Sequence, residues 1–332
     1  MAYTAIDDPS AYFKIVLWTG TGSDQDVTGV GFASNLIWLK ERSHSDYHFQ
    51  LDTVRGKGSN NHYYNLYSNA TNAETDQVNG INTIGSDGFS ITTRGEMNET
   101  DHTYVAWCWN ESATAGFDIV GYTGNGTDDT DISHNLSAVP KMIIVKNRDA
   151  ADAWQVYHGA NTAAPETDYL VLNTTAATVD DVVRWSDEAP TSSVFTLGSG
   201  AEVNTDSEAY IAYCFAEKQG FSKFGSYLGN ANVDGVFVYT GFTPALLMIK
   251  PSSGTTGGWT MYDTTREPFN DGSFGVVTAN QNNAESTELS SAIDILSNGY
   301  KIRGGAGSSD NNASGATYVY MAFAEAPFVN SN

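Results

Sequence analysis

The segment Tyr-Val-Ala-Trp-Cys-Trp at Tyr104–Trp109 returns as Tyr-Ile-Ala-Tyr-Cys-Phe at Tyr210–Phe215 and as Tyr-Val-Tyr-Met-Ala-Phe at Tyr318–Phe323. Alternating, aromatic-rich stretches of this kind read as β-strands. Their return at a domain-sized interval means that one structural unit was copied, because the period is too long for a solenoid repeat. Whatever fold one copy adopts, the others must share it.

Other landmarks keep step. Phe13, Phe117 and Phe221 open the copies at a spacing of 104 residues. Turns at Gly20, Gly124 and Gly229 follow, then apolar runs that end in Lys40, Lys146 and Lys250. Asn69, Asn173 and Asn280 come next, and Asn98, Asn204 and Asn312 each stand six residues before the closing tyrosine. These divide the chain into an N-terminal segment, residues 1–12, and repeats over 13–112, 113–219 and 220–332. The joints, residues 110–116 and 216–220, are too short to act as flexible linkers, so the units should abut as a semi-rigid body. A compact pseudo-threefold body and a linear rod both satisfy that spacing.

Within a copy, short apolar runs alternate with Gly-, Asn-, Asp- and Ser-rich turns, and helical periodicity is hard to find. The pattern predicts an all-β chain of three tandem antiparallel β-sandwiches of jelly-roll or lectin-like type. In the first copy it places strands near Phe13–Thr19, Leu36–Glu41, His48–Asp52, Tyr63–Tyr67, Phe89–Thr92 and Thr103–Trp109. In the closing strand Tyr104, Ala106 and Cys108 face one way and Val105, Trp107 and Trp109 the other. Apolar groups on both faces predict a central strand covered on both sides.

Composition narrows the function. Lys and Arg total 16 against 39 Asp and Glu, a net charge of −23 in 332 residues. Such a surface repels nucleic acid and anionic membranes, and no apolar stretch is long enough to insert into a bilayer. Residues 1–8 lack the basic start and apolar middle of a secretory signal, which predicts synthesis in a cytoplasm. Cys108 and Cys214 hold the same place in two copies and read as buried apolar thiols.

Candidate reactive groups drift between copies. Asp52 and Arg55 correspond to Asp263 and Arg266, with Glu74 and Glu285 further on, and paired carboxylates of this kind could serve glycoside hydrolysis. The second copy has His158, Asn161 and Thr178 there, so the residues read as loop structure rather than catalysis. No catalytic residue is assigned. Acidic loops follow the opening strands, and Asp128, Asp129 and Asp131 are the best candidates for a Ca²⁺ site, the one cofactor considered. The six histidines lack metal-ligand spacing, so no zinc site is expected. Among the aromatics, Trp154 and Trp259 read as equivalent core residues. Tyr47, Tyr63, Tyr64 and Trp185 are the candidates for glycan or protein contact at the surface.

Several strings, taken together, resemble a known family: Phe117–Gly126, Gly241–Lys250, Asp263–Arg266, Ser297–Arg303, Tyr318–Phe328 and the opening Ile6–Phe13. They are similar to a repeated β-domain family of virion proteins from tailed phages, especially marine ones. The resemblance implies a non-enzymatic structural protein on the particle surface, with other tail or capsid proteins as partners, a homo-oligomeric state, and a host glycan as a possible ligand. A tail-fibre-like attachment component is the leading expectation. A capsid decoration protein and a glycan-cleaving depolymerase are the alternatives.

Overall fold

The computed structural model describes residues 4, 6–268, 270, 275–287, 292–303 and 308–326. The Pro327–Phe328 end of the last family-like string lies outside them. The described chain is all-β, built from antiparallel sheets, and none of its helices is long and apolar enough to cross a membrane.

Each copy contributes a large sheet and a small one. In the first, the large sheet runs in space as Phe13–Thr19, Thr103–Trp109, Leu36–Glu41, His48–Asp52 and Leu66–Tyr67. Its small sheet is Gln25–Thr28, Gly88–Ile91 and Ile81–Gly85. The second large sheet orders Phe117–Thr123, Ala209–Phe215, Met142–Asn147, Gln155–His158, Asp168–Val171 and Val179–Asp180. Thr130–Ser133 and Val194–Leu197 form its small sheet. The third large sheet orders Ser222–Leu228, Thr317–Phe323, Leu246–Ser253, Thr260–Asp263, Gly275–Thr278 and Ser286–Thr287. Phe237–Tyr239, Gly299–Ile302 and Ile293–Leu296 back it.

The closing strand lies between the opening strand and the lysine-ended strand in every large sheet, and its two faces enter different cores. Tyr104, Ala106 and Cys108 pack inside the first sandwich with Phe49, Phe89 and Ile91. Val105, Trp107 and Trp109 instead join a core shared with the other copies. There the last aromatics of the repeated segment meet. Ring centroids are 6.3 Å apart for Trp109–Phe215 and 5.8 Å for both Trp109–Phe323 and Phe215–Phe323. The arrangement is therefore the compact pseudo-threefold one, and the strand must be apolar on both faces because both are interior.

Turn landmarks have a common purpose. Asn98, Asn204 and Asn312 each accept, through Oδ1, an amide from the turn after the opening strand: Thr21 at 2.9 Å, Asn125 at 2.9 Å and Asn230 at 3.1 Å. The closing tyrosine hydroxyls accept from Glu99, Thr205 and Ala313 at 2.7–2.8 Å. Glycine is required in this cradle: a Cβ on Gly124 would stand 2.2 Å from the Thr205 carbonyl oxygen.

A polar side chain without a partner interrupts the shared core. Gln50, 2% exposed, occupies the register place held by Val156 and Met261 in the other copies and lines a central cavity with Trp38, Trp109 and Trp154. Neither its Oε1 nor its Nε2 has a side-chain hydrogen-bond partner. Gln50→Met, which removes an unsatisfied buried amide at similar volume, is expected to stabilise the fold by about 1 kcal/mol in urea denaturation.

Candidate functional site

The candidate catalytic carboxylates lie at the seams between copies. Asp52 ends a strand opposite Leu36, and Asp263 ends the matching strand opposite Leu246; both side chains are fully buried. Asp52 Oδ1 accepts the Arg55 amide at 2.8 Å, and Oδ2 pairs with the Arg55 guanidinium. That same Oδ2 also accepts the hydroxyl of Tyr213, from the second copy, at 2.8 Å. Glu74 completes the seam by pairing with Arg55 at 3.2 Å and with Arg148 of the second copy at 2.8 Å. Burial alone would lower the Arg55 pKa, but Asp52, Tyr213 and Glu74 more than offset it and raise it.

The seam between third and first copies repeats this plan. Asp263 holds Arg266 and accepts Trp107 Nε1 at 3.0 Å, while Glu285 joins Arg266 to Arg42. Despite burial, the two arginines hold Glu285 below the usual carboxylate range. Asp52 and Asp263 are thus fully buried, and all four carboxylates are paired with arginine.

The seam between second and third copies is neutral, for a reason visible in its partner. Trp107 and Tyr213 each bring a donor to the buried aspartate, but Met321 stands at that register place in the third copy. An aspartate facing Met321 would lack that donor. Instead His158 lies 3.1 Å from the Tyr320 carbonyl, and its Nδ1 accepts the Ala160 amide at 3.2 Å. Burial lowers the His158 pKa to about 4, which keeps the ring neutral and Nε2 protonated as the donor. Asn161 takes the arginine's place and accepts the Thr178 hydroxyl at 2.7 Å.

The run-end lysines are buried and bonded to backbone carbonyls. Lys146 Nζ donates to Asn147 and Ala150, at 2.5 and 3.0 Å, and Lys250 Nζ donates to Gly257 at 2.6 Å. Burial, partly opposed by Asp152 and Asp310 respectively, lowers both pKa values from 10.5 to about 8. Between pH 8 and 10.5 the unfolded chain therefore binds more protons at these sites, and stability rises with pH. The penalty is fully present below pH 8. Relative to a Lys146→Met/Lys250→Met variant, the wild type should gain on the order of 1 kcal/mol per lysine from pH 8 to 9.5 in urea denaturation.

Two carboxyl groups, those of Glu111 and Asp118, lie close together at the first joint. Burial, followed by contact with Asp118, pushes Glu111 up to about 7. Glu111 accepts the Ile119 amide at 3.1 Å and Asp118 accepts that of Asn135 at 2.6 Å, so the pair straps the joint. Burial pushes the free Cys108 thiol up to about 12, and raises that of Cys214, leaving both unreactive.

The surface candidates divide. Tyr47 is 43% exposed and packs on Tyr67 at 4.7 Å between ring centroids. Tyr63 and Tyr64 are half-buried; Lys57 lies over the Tyr63 ring, and the Tyr64 carbonyl accepts from Arg55. Trp185 requires correction, since it is only 2% exposed. It ends the short helix Val182–Trp185, meets Tyr157 edge-on and closes the second sandwich where its small sheet has only two strands. Trp154 and Trp259 are core residues that also tie copies together, through indole bonds to the Tyr67 and Val171 carbonyls at 2.8 and 2.9 Å.

Asp128, Asp129 and Asp131 are exposed, and the first two meet at one side chain. Asp128 and Asp129 both accept the Ser186 hydroxyl at 2.7 Å, whereas Asp131 accepts that of Thr196 at 2.9 Å. Among the described residues, the group offering three ligand atoms within 4.8 Å of one another is instead Glu41, His44 and His102. Sequence spacing missed it because His44 and His102 are far apart in the chain. The register that sets Glu41 opposite Tyr104 brings them together.

No curated protein and no solved structure matches the chain. A family described as a domain of unknown function (DUF7483) matches it over residues 8–327.

Proposed function

We propose that this chain, which belongs to the DUF7483 family over residues 8–327, is a non-enzymatic structural protein on the surface of a tailed-phage particle, acting as a tail-fibre-like attachment module. The observation that carries the reading is the use of the charged groups at the seams: Asp52, Glu74, Asp263 and Glu285 are all spent on arginines and neighbouring copies. A rigid body closed in this way is suited to display. The family-like strings supply the virion setting, and the exposed Tyr47, packed on Tyr67, supplies an aromatic contact for a host glycan.

Localisation by cryo-EM of intact particles tests the setting, and a glycan array with wild type and Tyr47→Ala tests the contact. Tail density and glycan binding lost in Tyr47→Ala are expected. Release of reducing sugar from host polysaccharide by the purified protein would overturn the non-enzymatic reading. The pseudo-threefold body also favours a second reading, capsid decoration, because such a body fits over a point where three subunits meet. Density on the head would select it.

A further inference from the structure

The hairpin after Lys40 carries a group that neither the scaffold nor the glycan contact uses. Glu41 is 3% exposed, and its Oε1 lies 3.0 Å from His44 Nδ1 and 2.8 Å from His102 Nδ1. The imidazoles stack at 3.9 Å between centroids with 19° between their planes. Backbone bonds fix the cluster: the Arg42 amide donates to the Thr103 carbonyl at 2.7 Å, and the Thr103 amide donates to Ser43 Oγ at 3.0 Å. Arg42 is drawn away from it by Glu285, while Lys40 and Asp46 are the nearby charges.

We propose that Glu41, His44 and His102 form a binding site for a divalent first-row transition ion of the Zn²⁺ class. Two imidazole nitrogens and one carboxylate oxygen are the donor set such ions take, with one coordination position left for water or an external ligand. Tetrahedral bonds of about 2.0–2.1 Å would set the donor atoms about 3.3 Å apart, a few tenths of an ångström beyond the present spacing. His44, with its side chain 60% exposed, is free to rotate by that amount and turn its lone pair inward. The buried Glu41 supplies a fixed anionic anchor, and exposure at His44 leaves the open position facing solvent.

The site belongs to one copy. The corresponding places hold Asn147, Ala150 and Glu208 in the second, and Pro251 and Ala316 stand opposite Glu41 and His102 in the third. The scaffold is tripled, and this donor set is not. That is the pattern of a feature added after copying.

The test titrates metal-free full-length protein with ZnCl₂ by calorimetry and follows CoCl₂ by visible absorption. One equivalent per chain, tetrahedral Co²⁺ bands, and at least tenfold weaker binding in both His44→Ala and His102→Ala are expected, with His62→Ala unchanged. Glu41→Gln should weaken binding similarly; should its fold be lost, His44→Ala on an exposed side chain carries the test. Absence of stoichiometric uptake by folded wild type, or unchanged affinity in both cluster-histidine variants, would overturn the site. Neither result bears on particle location or Tyr47, so this inference and the attachment reading fail separately.

Discussion

Phe323→Ala is expected to lower the unfolding free energy by about 4 kcal/mol, at the upper end of core truncations. The ring is 1% exposed and contacts those of Phe13, Trp109, Phe215, Phe221 and Phe224. Those partners come from all three copies, so the cavity would open where the copies meet rather than within one sandwich. Guanidinium denaturation followed by tryptophan fluorescence and by far-ultraviolet dichroism should show more than a lower midpoint. The two probes, coincident in the wild type, should separate as the copies uncouple. Trp109→Phe is the control. It installs the residue type found at Phe215 and Phe323 and removes an indole N–H that has no partner, and should change stability by less than about 1.5 kcal/mol. A loss for Phe323→Ala no larger than that of Trp109→Phe would mean that the aromatic junction does not hold the copies together.

Arg55→Met should be nearly as damaging, at about 3–5 kcal/mol, because it leaves Asp52 without its charge partner in the interior and removes one of Glu74's two arginines. The comparison that matters is with Asn161→Ala at the neutral seam. That change removes one acceptor for the Thr178 hydroxyl and should cost only about 1 kcal/mol. Equilibrium urea denaturation of the two variants checks the difference. Equal losses would show that the ionic seams gain nothing particular from charge pairing.

How much of this was readable in the chain depends on the range of the interaction. The closing strand's two apolar faces were legible because strand periodicity assigns sides directly, and Trp107 and Cys108 do enter different cores. Trp185 was misread because its lack of an aromatic counterpart suggested a surface role, whereas the second copy uses it to fill space over a two-stranded small sheet. The exchange of Asp52 and Asp263 for His158 looked like indifference because its cause sits on another copy, at Met321. The Glu41–His44–His102 group depends on register between distant strands, which one sequence does not spell out.

Tandem copies this alike carry a hazard during folding: one copy can dock against the wrong neighbour and be trapped there. The mismatched seam chemistry guards against it. Asp52 set against the third copy's strand would meet Met321 and lose a donor, and His158 set against the first copy's strand would place a neutral ring, whose Nδ1 already accepts the Ala160 amide, where Trp107 seeks an acceptor. Both of these wrong dockings leave a buried polar group unmatched, whereas in the native arrangement Asp52 and His158 are both partnered. The drift between copies thus serves as an address, written in hydrogen-bond donors and acceptors, that tells the first and second copies which neighbour is their own.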